Sequence, residues 1–454
     1  MIDVKKIRSN PDTLRDVIRR RKVDPKLADL DTWLELDENK RQLQMGIDAL
    51  NGEKKQLARL GKSDPEKARE QGQLLREKGK QLEREMSTIT SRWQEILDWF
   101  PNWLHPEMPD GDSEDHNVEV KAWTPTDGYF DAGLLGASGK SAAAMPTFPC
   151  HAGSNDFTPL HHAELGIMLG GVDTLQGAKV SGSRFAYLIG ELARMQYGLN
   201  QLLVDELLNR GYEMIVPPLL VRERSLYGTS HFPEGRDQVY EIKSHNVEEE
   251  GSLFLVGSSE PTNFSYFMDR TLRAEQLPVK VFAATSCFRS EAGSWGKDVK
   301  GIKRVHQFDK IEMNSVCAPD QSEEISQEFS DINEWLLQSL KLPYRVVEKC
   351  AGDAGYLASH RQRDMEVWLA GSREYMEVMT DTNTTDYQAR RLNIRFKGEK
   401  GAPGFCHTVN DTGCAMGRML IAIMDNYQQA AGKVLVPEAL RRVMGKELIE
   451  PSAR

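Results

Sequence analysis

The chain has 454 residues, long enough for roughly two or three folding units rather than one compact core. Its 39% apolar and 28% charged composition is that of a soluble globular protein and excludes collagen-like and disordered classes, and no window holds the ~18 apolar residues that a membrane span needs. With 58 Lys plus Arg against 68 Asp plus Glu, the net charge of -10 excludes loose field-driven coating of DNA, so a nucleic-acid partner has to be met by a local basic patch.

The opening segment, MIDVKKIRSNPD, has no apolar stretch of the kind a secretory signal requires. An arm starting almost at Met1 also leaves no room for a transit peptide, so a cytoplasmic protein is expected. Leu36, Leu43, Leu50 and Leu57 recur every seven positions, with Trp33 and Ile47 on the adjoining seam. Beyond a break at Gly61–Pro65 a second seven-residue series runs Leu75, Leu82, Ile89, Ile96, with Met86, Trp93 and Phe100 beside it. Two such stripes across a Gly/Pro turn predict an antiparallel coiled-coil hairpin, an arm roughly 45 Å long at 1.5 Å per residue. From Lys54 to Lys80 the arm carries nine Lys or Arg and four acidic residues. Lys54, Lys55, Arg59, Lys62, Lys67, Arg69 and Arg76 are the candidate RNA-backbone contacts; an ordinary solvated helix surface is the other reading.

A Pro/Asp-rich linker, Pro106 to Asp115, follows. It suggests an arm domain over 1–110 and a second domain over 111–454, with a Gly/Ala-rich loop or insertion near 128–156. Within that loop GASGKS, Gly136 to Ser141, imitates the end of a phosphate-binding loop, but the glycine required five residues before Gly139 is Leu134. From Thr158 helix and strand signals mix without a βαβ rhythm, which predicts an α+β fold with an antiparallel sheet backed by helices. The six cysteines form no CxxC pair, which argues against a cysteine-rich zinc site and suits a reducing compartment.

Three blocks carry chemistry. Arg210-Gly211-Tyr212 with Ile215 and Pro217-Pro218 reads as a helix turning into a strand. CFRSEAG from Cys287, a Gly/Lys loop and RVHQFDKIEM from Arg304 read as two strands joined by a basic hairpin. On strands, Arg289 and Glu291 share a face, as do Arg304 and Phe308: cations for phosphate, a carboxylate and an aromatic plate for a base. CHTVNDTGCAMGRMLIAIM from Cys406 has small residues that let backbone approach a ligand, then Arg418 at the start of an apolar helix. Each residue has a plainer reading: an Arg304–Glu312 surface ion pair, Phe308 in the core, Thr412 as a helix cap. His306 and His407 read as structural.

These blocks, with VSGSRF (180–185), LPYRVV (342–347), TTDYQARRLNIRF (384–396) and the N-terminal hairpin, resemble the class II aminoacyl-tRNA synthetases, and the seryl-tRNA synthetase family in particular, over nearly the whole chain. The resemblance implies a six-stranded antiparallel sheet flanked by helices, a homodimer formed through the first block, and ATP-dependent activation of L-serine followed by transfer to tRNA(Ser). It implies that Arg289, Arg304 and Arg418 are catalytic, and that Ser258, Ser259, Glu260, Arg289, Glu312, Asn410 and Thr412 bind serine. ATP falls to Arg289, Ser290, Glu291, Val305, Phe308, Glu377, Val378, Met379, Thr380 and Arg418, and Mg²⁺ to Glu377 and Thr380. Ser258-Ser259-Glu260 stands where the family has Thr-Ala-Glu, Asp411 replaces a glycine, and Met379 and Asp381 also depart from the family wording. Two other uses stay open: a paralogue that activates serine or an analogue for a biosynthetic or resistance role, and a non-catalytic tRNA-binding homologue.

Overall fold

The computed structural model describes residues 1–60, 65–125, 157–243, 251–293, 300–369, 371–398, 401 and 403–452. The chain forms two compact units, Met1–Trp103 and Leu104–Arg454.

The first unit is helical: α1 (Val4–Ser9), α2 (Pro11–Arg20), α3 (Leu30–Leu60) and α4 (Pro65–Leu97). The side chain of Asp29 accepts from the N–H of Thr32 at 3.1 Å and starts α3, and Pro65 opens α4, where a missing N–H costs nothing. The heptad stripes face one another. Their base is an aromatic cluster in which Trp33 lies 5.4 Å from Trp93 and 5.7 Å from Phe100, ring centre to ring centre. The periodicity did not announce α1 and α2, which are too short for a heptad to register. Arg8 of α1 makes a two-pronged bond to the buried Asp37 of α3 at 2.7 and 2.8 Å.

The second unit is built on a sheet of β1 (Val118–Trp123), β2 (Glu213–Met214), β3 (Val279–Phe288), β4 (Gln307–Cys317), β5 (Tyr344–Glu348), β6 (Arg361–Leu369), β7 (Glu374–Thr385) and β8 (His407–Ala415). The order is β1-β5-β6-β7-β8-β4-β3-β2. Six contiguous strands, β5 through β3, are antiparallel as expected, but the sheet has eight. β1 adds at one edge and the two-residue β2 pairs parallel with β3 at the other. β2 follows the helix Gly190–Asn209, where Arg210-Gly211-Tyr212 reads as a helix turning into a strand, whereas β1, largely exposed, is not among the expected elements although Val118 to Ala122 alternates apolar and polar residues.

Helices α5 (Gly190–Asn209), α7 (Ser322–Ser339) and α9 (Met416–Tyr427) cover the sheet, with the short α6 (Glu260–Ser265) and α8 (Tyr387–Leu392) near the site. Leu192, Met195, Leu199, Leu203 and Leu207 repeat at three and four residues, so α5 buries one stripe. The Pro/Asp-rich segment is docked rather than loose. Met108 is buried, and the carbonyls of Pro109 and Gly111 accept from Ala351 and Gly352 at 3.0 Å each. The 128–156 loop, with its GASGKS imitation, lies outside the described residues.

Candidate active site

Strand alternation on β4 sets the floor of the site. Phe308, Lys310 and Glu312 point to one face, while Ile311 and Met313 enter the core on the other. On neighbouring β8, Asn410 and Thr412 share the open face, and Thr412 pairs with Glu312. Asp411 between them turns away. Both its oxygens accept from Asn333 of α7, at 2.9 and 2.8 Å. The replacement of the family glycine therefore lies beneath the pocket rather than in it. On β7 a bulge breaks register between Glu366 and Met365, so that Glu377 and Thr380, three residues apart, both face the cavity.

The arginines come from three separate segments. Arg289 follows β3, and its Nε donates to the carbonyl of Gly257 at 3.2 Å, with the guanidinium 5.4 Å from the centre of the Phe308 ring. Arg304 donates to Glu291 at 3.0 Å. Arg418, in the first turn of α9, donates to the carbonyl and carboxylate of Glu377 at 2.8 and 3.0 Å. All three line one cleft of about 650 Å³ with Glu291, Val305, Phe308 and Glu377. Three cations around one aromatic plate suit a polyanion bearing a planar base.

A second pocket of about 750 Å³ is polar, lined among others by Ser258, Glu260, Lys310, Glu312, Gln388, Asn410 and Thr412. The two spaces share Arg289, Lys310, Glu377 and Thr412. Lys310 pairs with Glu312 at 2.6 Å, both at most 5% exposed, and its Nζ reaches the Thr412 hydroxyl at 3.3 Å. Glu260 is 7% exposed at the pocket wall, and burial together with the charge of Glu312 pushes its carboxyl up to about 8. Its Oε1 accepts from Gln388 at 2.6 Å, and Gln388 is itself fixed by the hydroxyls of Thr384 and Thr408 on its carbonyl. Burial, with Arg289 and Lys310 nearby, pushes His231 down to about 3, so its 4.0 Å approach to Glu260 is not an ion pair. Glu377, at the mouth, is pushed up by desolvation, but Arg418, Lys349 and Arg289 outweigh this and hold it below the ordinary range. Burial and Glu377 lift Asp364, which accepts from Thr380 at 2.9 Å, to about 7.

Several expectations change in detail. β3 ends at Phe288 and β4 begins at Gln307, so Arg289, Glu291 and Arg304 sit on the turn between the strands, with Glu291 at φ 52°, where a non-glycine residue is uncommon. They meet through cross-turn bonds (Arg289 N–H to the carbonyl of His306, 3.0 Å) and not through alternation. Arg304 pairs with Glu291 rather than Glu312, Phe308 faces the cleft rather than the core, and α9 starts at Met416 without a cap from Thr412. Three side chains point elsewhere. Met379 is buried in the core, Ser259 accepts from Asn263 at 3.4 Å, and Ser290 donates to the carbonyl of Asp237. His306 and His407 are structural, hydrogen-bonded at 2.9 Å to the carbonyl of Arg289 and to Ser322. Sequence reading missed Lys310, Gln388, Lys349 and Asp364. For Lys310 the signal was there, in the alternation of Phe308, Lys310 and Glu312; the other three carry none. On the arm, Lys55, Arg69 and Arg76 are exposed and Lys54 is half-buried. The side chains of Arg59, Lys62 and Lys67 lie outside the described residues.

An antiparallel sheet with arginines from the β3–β4 turn and the start of α9 closing on one cleft defines a class II aminoacyl-tRNA synthetase core. Residues 240–427 match the model of the tRNA synthetase class II core domain (G, H, P, S and T). Residues 1–104 match the seryl-tRNA synthetase N-terminal domain. The chain is 35% identical to a serine--tRNA ligase of Dictyoglomus turgidum over 99% of this chain and all of that one, and 36% identical to that of Rubrobacter xylanophilus over the full length of both. Among solved structures it resembles seryl-tRNA synthetase from Pyrococcus horikoshii complexed with ATP (TM-score 0.89, 32% identity, full coverage of both chains). It also resembles the cytoplasmic serine-tRNA ligase of Naegleria fowleri in complex with AMP (TM-score 0.82, 28% identity, 98% of this chain and 96% of that one). The chain belongs to the seryl-tRNA synthetase family.

Proposed function

We propose that this protein is an aminoacyl-tRNA ligase that activates L-serine with ATP and transfers it to the 3' end of tRNA(Ser). The observation that carries this reading is the junction of the two cavities at Arg289, Lys310, Glu377 and Thr412. A nucleotide in the arginine cleft and an amino acid in the polar pocket meet there, carboxylate to α-phosphorus. The serine carboxylate attacks in line and pyrophosphate leaves; the terminal ribose hydroxyl of tRNA then attacks the seryl-adenylate, releasing AMP. No proton has to be taken from a carboxylate already ionised at pH 7. The work is positioning and charge neutralisation.

In this reading Arg289 spans the carboxylate and α-phosphate, while Arg304 and Arg418 hold the β- and γ-phosphates. The base stacks on Phe308, with Glu291 and the backbone of Val305 at its edge, and the backbone of Val378 and Met379 closes the wall. Glu260 takes the serine ammonium. Glu312, Asn410 and Thr412 take its hydroxyl, and Ser258 supplies a further hydroxyl. Alanine leaves those polar groups unpaired, which can discriminate by up to ~10⁴ to 10⁵. The carboxylate of Glu377 and the hydroxyl of Thr380, 3.3 Å apart, offer oxygen ligands that fit Mg²⁺. A bound Mg²⁺ would screen the phosphate charge.

The basic arm tip meets tRNA through its backbone and shape. A homodimer through α5 and the first block that follows it agrees with their exposed apolar residues, where Tyr197 of α5 is 72% and Val216, just past β2, 90% exposed. Cytoplasmic residence agrees with five buried free cysteines among the described residues, and no described helix is long and apolar enough to cross a membrane. The test is pyrophosphate exchange with each of the twenty amino acids, followed by charging of total tRNA. Serine alone supports exchange and charging; exchange without charging, or neither, overturns the assignment.

A further inference from the structure

Away from both cavities, three metal-ligating side chains converge where the chain enters the second unit. His105 lies just past the unit boundary, His360 immediately precedes β6, and Glu323 is the second residue of α7. One ligand atom from each lies within 4.8 Å of the others. Backbone bonds fix the pair of rings: the N–H of His105 donates to the carbonyl of His360 at 2.9 Å, and the N–H of His360 donates to the carbonyl of Asn383 at 2.9 Å. The imidazoles stand edge to face with centres 5.4 Å apart. Asn383 also holds the carboxylate, donating to Oε1 of Glu323 at 2.7 Å. Such an outer partner orients a ligating carboxylate.

We propose that His105, His360 and Glu323 form a structural site for a divalent transition metal of the zinc class. Two imidazoles and one carboxylate are a ligand set zinc takes with water in the fourth position. Around a tetrahedral ion the ligand atoms stand roughly 3.3 Å apart, given bonds near 2.0–2.1 Å. The rings and carboxylate therefore draw in by up to about 1.5 Å, within reach of rotamer adjustment because Glu323 is half exposed. Both imidazoles must present a lone pair. Nδ1 of His105 now accepts from the N–H of Glu107 at 3.2 Å, a long bond that gives way when metal fixes the other tautomer or takes Nδ1 itself.

The surrounding charge favours a cation. Arg361 approaches Glu323 at 3.5 Å, but its stronger bonds go to Glu348 at 2.8 and 3.1 Å, which Arg363 also joins at 3.0 Å. With Glu107 at 3.4 Å from Arg361, three carboxylates face two guanidiniums. Bound metal would staple the entry of the chain, Leu104–Glu107, to α7 and β6, on the far side of the strands from the reaction.

The test uses the full-length protein, stripped with chelator and loaded with Zn²⁺ or Co²⁺. The expected result is one equivalent retained after dialysis and a tetrahedral Co²⁺ spectrum without thiolate charge transfer. The thermal midpoint should rise with metal in the wild type only. H105N, H360N and E323Q should each lower metal affinity at least tenfold, with serine-dependent pyrophosphate exchange unchanged in the metal-free proteins. Circular dichroism of the stripped variants keeps loss of metal distinct from loss of fold. A wild type that retains no metal overturns the proposal, as does equal retention by a folded variant or a thiolate band placing the ion on a cysteine.

Discussion

Glu260 is where the pocket does something a surface carboxylate would not. Its ordinary value of 4.5 is lifted to about 8, so near pH 7 the empty pocket holds a neutral acid beside a neutral His231. An incoming ammonium changes the balance, because a cation at hydrogen-bond distance favours the charged form. Serine binding should then expel a proton. Calorimetry in buffers of different ionisation enthalpy is expected to find close to one proton released per serine at pH 6 to 7 and about half at pH 8. The Kd should weaken about tenfold for each unit below pH 8. Binding without proton release would mean the carboxylate is already ionised. The stability of the ligand-free protein depends on pH in the opposite direction. Between 4.5 and 8 the folded ligand-free state keeps a proton that the unfolded chain has lost, so stability falls as pH rises through this window. Glu260→Gln removes that slope and is more stable at pH 8, while serine affinity drops at least ~100-fold with its ammonium partner gone.

Between β7 and β8 the same physics acts on a pair. Asp381 and Asp411 are direct neighbours in register, 2% and 0% exposed, on two inner strands. Burial pushes Asp381 up to about 7, and burial with the neighbouring Asp381 lifts Asp411 well above the carboxylate range. Both values are raised, so the stability they leave is full below about pH 4 and is lost as pH rises through 7. Asp411→Asn should flatten this dependence and gain about 1–2 kcal/mol at pH 8, a few degrees of Tm. Serine selection should stay unchanged, because the side chain points to Asn333 while Asn410 and Thr412 face the pocket. Altered discrimination against alanine or threonine would show that the pocket feels this residue. Sequence motifs placed the substitution near the pocket but not on which side of the sheet, because one residue of strand register decides that. The same limit hid the bulge at Glu377–Thr380 and the turn positions of Arg289 and Arg304. Motif order is legible where residues act together; facing is set by pairing partners far along the chain. The heptads of α3 and α4 were legible in full because their period is local, whereas Gln388 and Lys349 matter only through what the fold places opposite them.

At the scale of the whole molecule the proposed function divides the labour between the two units in a way that can be cut apart. The arm is held at its base by Trp33, Trp93 and Phe100 and by Arg8 on Asp37, far along the helices from the basic tip. Across the hairpin Gly79 faces Leu50 and Lys54, and Gly72 faces Leu57, so residues 53 and 81 stand within about a turn of level. Removing Lys54 to Lys80 and joining the helices by a short Gly/Ser turn that spans this offset therefore shortens the hairpin and leaves its aromatic base whole. Serine-dependent pyrophosphate exchange should stay within about twofold, since Arg289, Arg304 and Arg418 all lie in the other unit. Charging of tRNA should fall by at least ~100-fold, because cations that neutralise phosphates supply much of the affinity for a polyanion and the tip carries nine of them. Changing only Lys54, Lys55, Arg69 and Arg76 to Gln should give an intermediate loss and a shallower dependence of charging on salt. If the shortened protein loses exchange and charging to the same extent, the tip is doing something other than holding RNA, and the arm would have to be read as part of the machinery that activates serine.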